Sequence, residues 1–255
     1  METLILIFFF IIGTVFGSFY TVIGMRIPVH ESIIHPRSHC EKCGHVLRWF
    51  ELIPVFSFIF LKGKCRYCKT KLSWLYLVLE LSSGILFAIS YYSYGFSLDL
   101  IIALTLSSLM IIVTSSDLSY MIIPDSFIFI PCILIFIIKI FTVGLKASLV
   151  AVLYGIIGFG VMFLIMKFGS WLFKKECLGG ADVKLMFLVG LVLPSFLSIL
   201  VIVLASLIAL PVSLFLFFKN KENAIPFGPF IVLGLLIIFF MKLDVNDIIT
   251  FLTLR

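Results

Sequence analysis

Charge is scarce in this 255-residue sequence. Asp, Glu, Lys and Arg make up 13% of it, against about 25% in an ordinary soluble domain. So few charges cannot cover the surface of a soluble globule of this length. That excludes a soluble enzyme, a secreted protein and a nucleic-acid reader as the main reading. No G-x-S-x-G, H-E-x-x-H or glycine-rich nucleotide loop is present. The serine-hydrolase elbow, the zinc-protease helix and the phosphate cradle therefore all lack their residues. No basic region precedes the first apolar run, only Glu2, and Leu4 to Ile23 is too long for a signal-peptide core. It reads as an uncleaved first span, and no lipidation signal follows.

What the sequence does have is apolar matter. Hydrophobic residues make up 62% of it, Phe alone occurs 29 times, and mean hydropathy is +1.27. At roughly 20 residues per crossing, the pattern predicts an all-α polytopic membrane bundle of about eight spans with one small loop domain. The spans fall near 4–23, 74–92, 98–116, 126–141, 147–166, 182–193, 195–218 and 227–240. The sixth is the least secure, because 12 residues before Pro194 make only about 18 Å of helix against a 30 Å core. The domain division is a first span at 1–25, a basic four-cysteine domain at 26–73 and a multi-span domain at 74–255. Gly13 and Gly17 in the first span, and Gly155, Gly158 and Gly160 in the fifth, are small residues suited to close helix approach.

Charge is also unevenly placed. Arg26 to Lys71 holds nine of the 19 Lys and Arg against Glu31, Glu41 and Glu51, a net +6; the remainder sums to zero. A basic loop beside lipid points to the cytoplasmic side and to anionic headgroups. With eight spans the N-terminus is then outside. Lys139 and Lys146 fall on the outer side and run against that scheme.

The same loop holds all four His and four of the six Cys. Cys40 and Cys43, then Cys65 and Cys68, form two C-x2-C pairs. Each pair can offer two thiolates from one tight turn, and two such knuckles enclose a tetrahedral Zn2+. Gly44 and Gly63 help the turns. A cytoplasmic loop is reducing, which disfavours two structural disulfides; redox-active pairs and metal-free packing are the weaker alternatives. Four thiolates leave no open position, so the zinc is structural. His30, His35, His39 and His45 have no standard ligand spacing and read as loop residues. The apolar run 52–61 is too short to span; it lies on the membrane or packs on the bundle. Cys132 reads as span packing and Cys177 as an exposed thiol.

Carboxylates at the membrane carry the candidate chemistry. Asp117 ends the third span and Asp182 opens the sixth segment, both on the same expected side. Two close carboxylates share a proton, one ionised to activate water and one protonated to polarise a carbonyl. Asp117 at a helix C-terminus is poorly placed for a structural role. Asp125 after Pro124 suits an N-cap. Lys184 reads as a snorkelling or substrate-steering charge. Glu80, inside the second span, is functional by default or a structural bridge. On residues alone a proton-coupled transporter or a zinc-stabilised membrane scaffold competes with a protease.

The sequence resembles the prepilin leader peptidase/N-methyltransferase family of membrane aspartyl proteases over nearly its whole length. The matching stretches, in order, are Gly17-Ser18-Phe19, Arg26-Ile27-Pro28, Arg37 to Gly44, Ile53-Pro54, Gly63 to Cys68, Glu80, Asp117 with Ile123-Pro124-Asp125, Gly179 to Leu185, and Pro226-Phe227-Gly228-Pro229. The resemblance implies that Asp117 and Asp182 are the catalytic pair, although Ala181 stands where the family's Gly-x-Gly-Asp has glycine. It implies cleavage after Gly in prepilin or pseudopilin leaders at the cytoplasmic face of a bacterial inner membrane. These substrates carry a short basic leader and an apolar helix. It further implies S-adenosylmethionine-dependent methylation of the new N-terminus, placed in the region from Arg26 to Glu80.

Overall fold

Residues 1–174, 178–219 and 225–243 are described by the computed structural model; Cys177, Asp244 and Asp247 lie outside them. The regular structure is α1 (Glu2–Arg26), α2 (Phe56–Phe60), α3 (Trp74–Tyr94), α4 (Leu98–Tyr120), α5 (Ser126–Phe173), α6 (Gly180–Val192), α7 (Ser195–Lys219) and α8 (Gly228–Phe240). The all-helical polytopic character is as expected, but the number of spans is not. Among the described residues five helices are long and apolar enough to cross a bilayer: Glu2–Val29, Trp74–Tyr94, Leu98–Tyr120, Ser126–Phe173 and Ser195–Leu216. The expectation of about eight is corrected to five. The segments read as two spans at 126–141 and 147–166 are two helical stretches that run on from one another across a kink at Gly144 (φ 84°, ψ 164°), counted together as α5. α6 and α8 have 13 residues each, about 20 Å of helix, well short of the core.

The chain divides into two compact units, Met1–Tyr120 and Met121–Arg255. In the first, α1 packs on α3 and α4. Glycine makes this possible by leaving out atoms. A Cβ at Gly13 would stand 2.7 Å from the Phe87 Cβ, and one at Gly17 would stand 2.6 Å from the Ser83 Cβ. Thr21 and Ser107 are small hydroxyl residues buried in the bundle that return their protons to their own helices. Thr21 donates to the Gly17 carbonyl at 2.8 Å, and Ser107 to the Ala103 carbonyl at 2.8 Å. Such bonds are what an apolar solvent favours; the Ser83 hydroxyl, buried in the same seam, makes none among the described residues. The Ser73 hydroxyl accepts the Leu75 N–H and starts α3. Trp74 marks one end of that helix and Tyr91, Tyr92 and Tyr94 the other, the belt positions of a spanning helix.

In the second unit α5 packs along α6, and α7 along α8. The α5–α6 seam is also glycine. A Cβ at Gly155 or Gly158 would lie 2.8 Å from the Phe187 or Met186 carbonyl oxygen. Gly160, grouped with them by sequence, faces open space. α6 stops at Val192, two residues before Pro194. Its terminal carbonyl is not abandoned: Lys139 of α5 donates to the Val192 oxygen at 2.9 Å. The lysine that ran against the inside-positive pattern is thus a helix cap inside the bundle.

Candidate active site and metal centre

The two C-x2-C pairs fold as copies of one turn. Cys40 N–H donates to the His45 carbonyl at 2.9 Å, and Gly44 N–H returns to the Cys40 carbonyl at 2.8 Å. In the second knuckle Cys65 N–H donates to the Thr70 carbonyl at 2.8 Å, and Lys69 N–H returns to the Cys65 carbonyl at 3.0 Å. The repeated geometry needs positive φ at the fourth residue after the first cysteine. Gly44 supplies it at 68°, Lys69 at 60°. Gly63 also has positive φ, but it lies before the knuckle and makes room for the Phe58 ring. Sequence reasoning found Gly44 and missed Lys69, whose side chain gives no turn signal.

All four sulfurs lie within 4.8 Å of one another, and Cys40 and Cys68 are 3.7 Å apart. Four thiolates at the Zn–S distance of about 2.3 Å in a tetrahedron sit about 3.8 Å apart. The set therefore fits a four-sulfur metal site. The outer thiols differ in character. Hydrogen bonds from the Thr70 hydroxyl and backbone pull Cys68 down to about 6. At Cys43 a backbone bond from His45 pulls down, but desolvation and the neighbouring sulfurs outweigh it and push the thiol up to about 11. The histidines stay out of the cluster. The His45 ring lies 3.6 Å from the Tyr67 ring, and His39 Nδ1 pairs with the Arg37 carbonyl at 3.0 Å.

Glu80 ties this loop to α3. Its Oε2 accepts the Val55 N–H at 2.7 Å. Val55 has φ 64° and ψ −54°, and the Phe56 N–H closes on the Pro54 carbonyl at 2.6 Å. That is a positive-φ γ-turn, strained for any residue and more so for a β-branched one. The carboxylate holds the strained residue by its backbone.

The two candidate catalytic carboxylates are both buried at helix ends. Asp117 lies in the last turn of α4, 6% exposed, beside the fully buried Ser115 and Ser116. The sequence ended this helix at Ser116; it continues to Tyr120 and stops where Met121 takes φ 54°. Asp182 is the third residue of α6, 7% exposed. Its N–H donates to the Gly179 carbonyl at 3.1 Å. A Cβ on Gly179 would sit 3.2 Å from the Asp182 Oδ2, so the missing side chain leaves room for the carboxylate. Ala181 lies inside helical backbone, a conformation open to alanine as well as glycine. Asp117 belongs to the first unit and Asp182 to the second.

Asp125 occupies the N-cap position of α5, yet its side chain caps nothing. It pairs with Lys184 at 2.5 Å, joining the first turns of α5 and α6. The sequence had treated these charges separately, since 59 positions separate them.

Comparison with known proteins adds a family to this geometry. Residues 11–94 match the family described as bacterial peptidase A24 N-terminal domain, and residues 104–214 match the type IV leader peptidase family. A protein of Bacillus subtilis called prepilin leader peptidase/N-methyltransferase is 39% identical over 185 residues, 72% of each chain. One of the same name from Myxococcus xanthus is 36% identical over 185 residues, covering 72% of this chain and 55% of the relative's length. The Vibrio cholerae protein of that name is 30% identical over 259 residues, with 94% and 98% covered. No solved structure matches the chain.

Proposed function

Since this chain belongs to the type IV leader peptidase family, we propose that it is a membrane aspartic endopeptidase that removes the leader of prepilin-like proteins. The bond cut follows a Gly at the cytoplasmic face of a bacterial inner membrane. One observation supports the chemistry most: Asp117 and Asp182 are both carboxylates buried at helix ends, on the two stretches that resemble the family's catalytic motifs.

Helix dipoles differentiate the two roles. Asp182 sits in the first turn of α6, where the positive end favours an anion; Asp117 sits in the last turn of α4, where the negative end opposes one. The proposed mechanism has Asp182 as the ionised base that takes a proton from water. Asp117 gives its proton to the scissile carbonyl oxygen as water adds and takes it back as the tetrahedral intermediate collapses, while Asp182 delivers the proton it took from water to the departing amine. The peptide bond breaks and the water oxygen joins the Gly carboxylate.

In this reading residues 26–73 form a cytoplasmic domain. Cys40, Cys43, Cys65 and Cys68 hold a structural Zn2+ that cross-links its two knuckles. Methylation of the new N-terminal amine is the second proposed activity, suggested by the relatives' names. S-adenosylmethionine would supply an electrophilic methyl group. Glu80 is the candidate residue of this region, and its Oε2 accepts the Val55 N–H.

The test is cleavage of a prepilin-like substrate by purified protein in lipid. Asp117→Asn and Asp182→Asn should each lower the rate at least 100-fold, the scale of general acid–base catalysis. Normal cleavage by both folded variants would end the proposal. Mass analysis of the mature product, with methyl donor present, reads the second activity.

A further inference from the structure

We propose that α2 and the loop around it form a membrane-surface wedge that docks on anionic phospholipid headgroups. The segment has an outward apolar stripe. Phe56, Ile59 and Phe60 are 62%, 60% and 81% exposed, at helical spacings that place them on one face. The opposite residue, Phe58, is buried against the Trp74 ring and Gly63. Trp49, beside the Phe50 ring, is also outward, 75% exposed. So much contiguous aromatic surface marks an interaction face.

The depth of this face follows from Glu80. α3 has 21 residues, about 31 Å, one hydrocarbon thickness. Glu80 lies six residues beyond Trp74, about 9 Å along the axis, and its side chain leans back toward the helix N-terminus. The Val55 N–H that it accepts therefore lies roughly one to two turns inside the end of α3. That is the zone in which interfacial helices bury their apolar faces. The γ-turn at Val55 turns the chain back at this level, and α2 begins at the next residue.

Charge complementarity names the occupant. Arg48, Lys62, Lys64, Arg66, Lys69 and Lys71 are all exposed around the wedge. The single acid between positions 48 and 74, Glu51, is buried and accepts the Arg48 N–H at 2.8 Å. The exposed charges of residues 48–74 are thus all basic, suited to phosphate-bearing headgroups within a Debye length. Beside α2 a groove of about 530 Å3 runs between Phe50, Phe56, Phe60 and Leu61, with Arg66 at its edge. Arg66 lies 5.3 Å from the Phe50 ring centroid. A basic edge over an apolar slot fits a phospholipid with its phosphate at the rim and the upper acyl chain below.

The test uses the full chain in nanodiscs of mixed anionic and zwitterionic lipid. Phe60→Trp is introduced with Trp49→Phe, Trp74→Phe and Trp171→Phe, leaving one reporter. Lipids brominated near the top of the acyl chain should quench it at least twofold, and aqueous acrylamide should do little. Strong acrylamide quenching without lipid quenching would overturn the proposal. Protection that arises only when a prepilin-like peptide is added would give the face to substrate and overturn it equally. A second measurement does not use the reporter. During stepwise delipidation the protein should retain anionic over zwitterionic lipid, and Lys62→Gln/Lys64→Gln/Lys69→Gln should lose that preference at least threefold. Equal retention by both proteins would remove the headgroup claim. Neither readout depends on cleavage, so failure here is distinct from failure of the proposed activity.

Discussion

Lys139→Met tests the coupling between a helix cap and the end of the same helix that carries Asp182. The change keeps a long unbranched side chain and deletes one donor, the ammonium that bonds the Val192 oxygen at 2.9 Å. Val192 is 6% exposed, so water does not replace that donor in full. A hydrogen bond to a charged group contributes about 1.5–3 kcal/mol, and an unsatisfied carbonyl in apolar surroundings adds to the loss. About 2 kcal/mol corresponds to roughly 30-fold in the opening equilibrium of the last turn of α6. A 13-residue helix has little intrinsic stability to resist fraying. The assay is amide hydrogen exchange in lipid. The Leu193 N–H, bonded to the Val189 carbonyl at 2.9 Å, should exchange roughly 10–100-fold faster in the Met variant. Lys139→Arg should restore most of the protection. Asp182 lies ten residues away on the same helix, about 15 Å, so cleavage should fall severalfold through a looser α6. Unchanged exchange at the end of α6 in Lys139→Met would refute the capping argument.

The cysteine cluster gives a pH-dependent outcome. Cys68 is drawn down to about 6 and Cys43 pushed up to about 11; at pH 7.5 the first is thiolate and the second thiol. In chelator-treated protein iodoacetamide should therefore modify Cys68 more than tenfold faster than Cys43, and the Cys68 advantage should fade as pH drops through 6. Added zinc should protect both; equal labelling with and without zinc would reject the metal site. Packing gives a paired substitution on α5. Gly158→Ala sets a methyl 2.8 Å from the Met186 backbone oxygen, whereas Gly160→Ala meets nothing. The first should cost about 1–3 kcal/mol in lipid unfolding assays and the second almost nothing; equal effects would contradict the glycine seam. The Asp125–Lys184 pair is partly exposed, its side chains 55% and 41% accessible. A double-mutant cycle of Asp125→Asn and Lys184→Gln should return about 1 kcal/mol or less. A much larger coupling would mean that the pair is shielded from solvent.

Much of this arrangement was legible because lipid solvent leaves a coarse record in the sequence. The spanning runs at α1, α3, α4 and α7, the glycine faces at Gly13 and Gly17, and the two cysteine pairs all announce themselves by composition or spacing. What the sequence concealed are the ends and joints. Hydropathy has no term for where a helix stops inside an apolar run. The break at Gly144 and the end of α6 near Pro194 were legible from glycine and proline, but the extension of α4 to Tyr120 was not, and hydropathy alone counted short apolar helices as spans. Lys139 looked like a topological anomaly because its partner is a carbonyl 53 positions away. Lys69 was invisible as a turn residue because the fold imposes its positive φ through the knuckle hydrogen bonds. Glu80 was recognised as meaningful inside a span, but only structure shows that it grips a backbone N–H.

A chain with so few charges exposes the work done by each buried polar group. The buried Thr21 and Ser107 return hydrogen bonds to their own helices, as lipid demands. Lys139 satisfies a helix terminus, and Glu80 holds a strained turn. In each case the backbone partner is a sufficient structural reason for polarity. Asp117 stands apart on electrostatic grounds. It is a carboxylate 6% exposed at the negative end of α4, where an anion raises the energy of the fold. The proposed proton chemistry would give a carboxylate a reason to stand against that dipole, and that makes Asp117 the more diagnostic member of the proposed pair. Asp182, favoured by its own helix dipole, has an adequate structural reason to be acidic. The Asp117→Asn variant therefore decides more: it should fold at least as stably as the native chain while losing cleavage. If it were instead destabilised, the carboxylate would be explained by the fold and the catalytic argument would lose its main support.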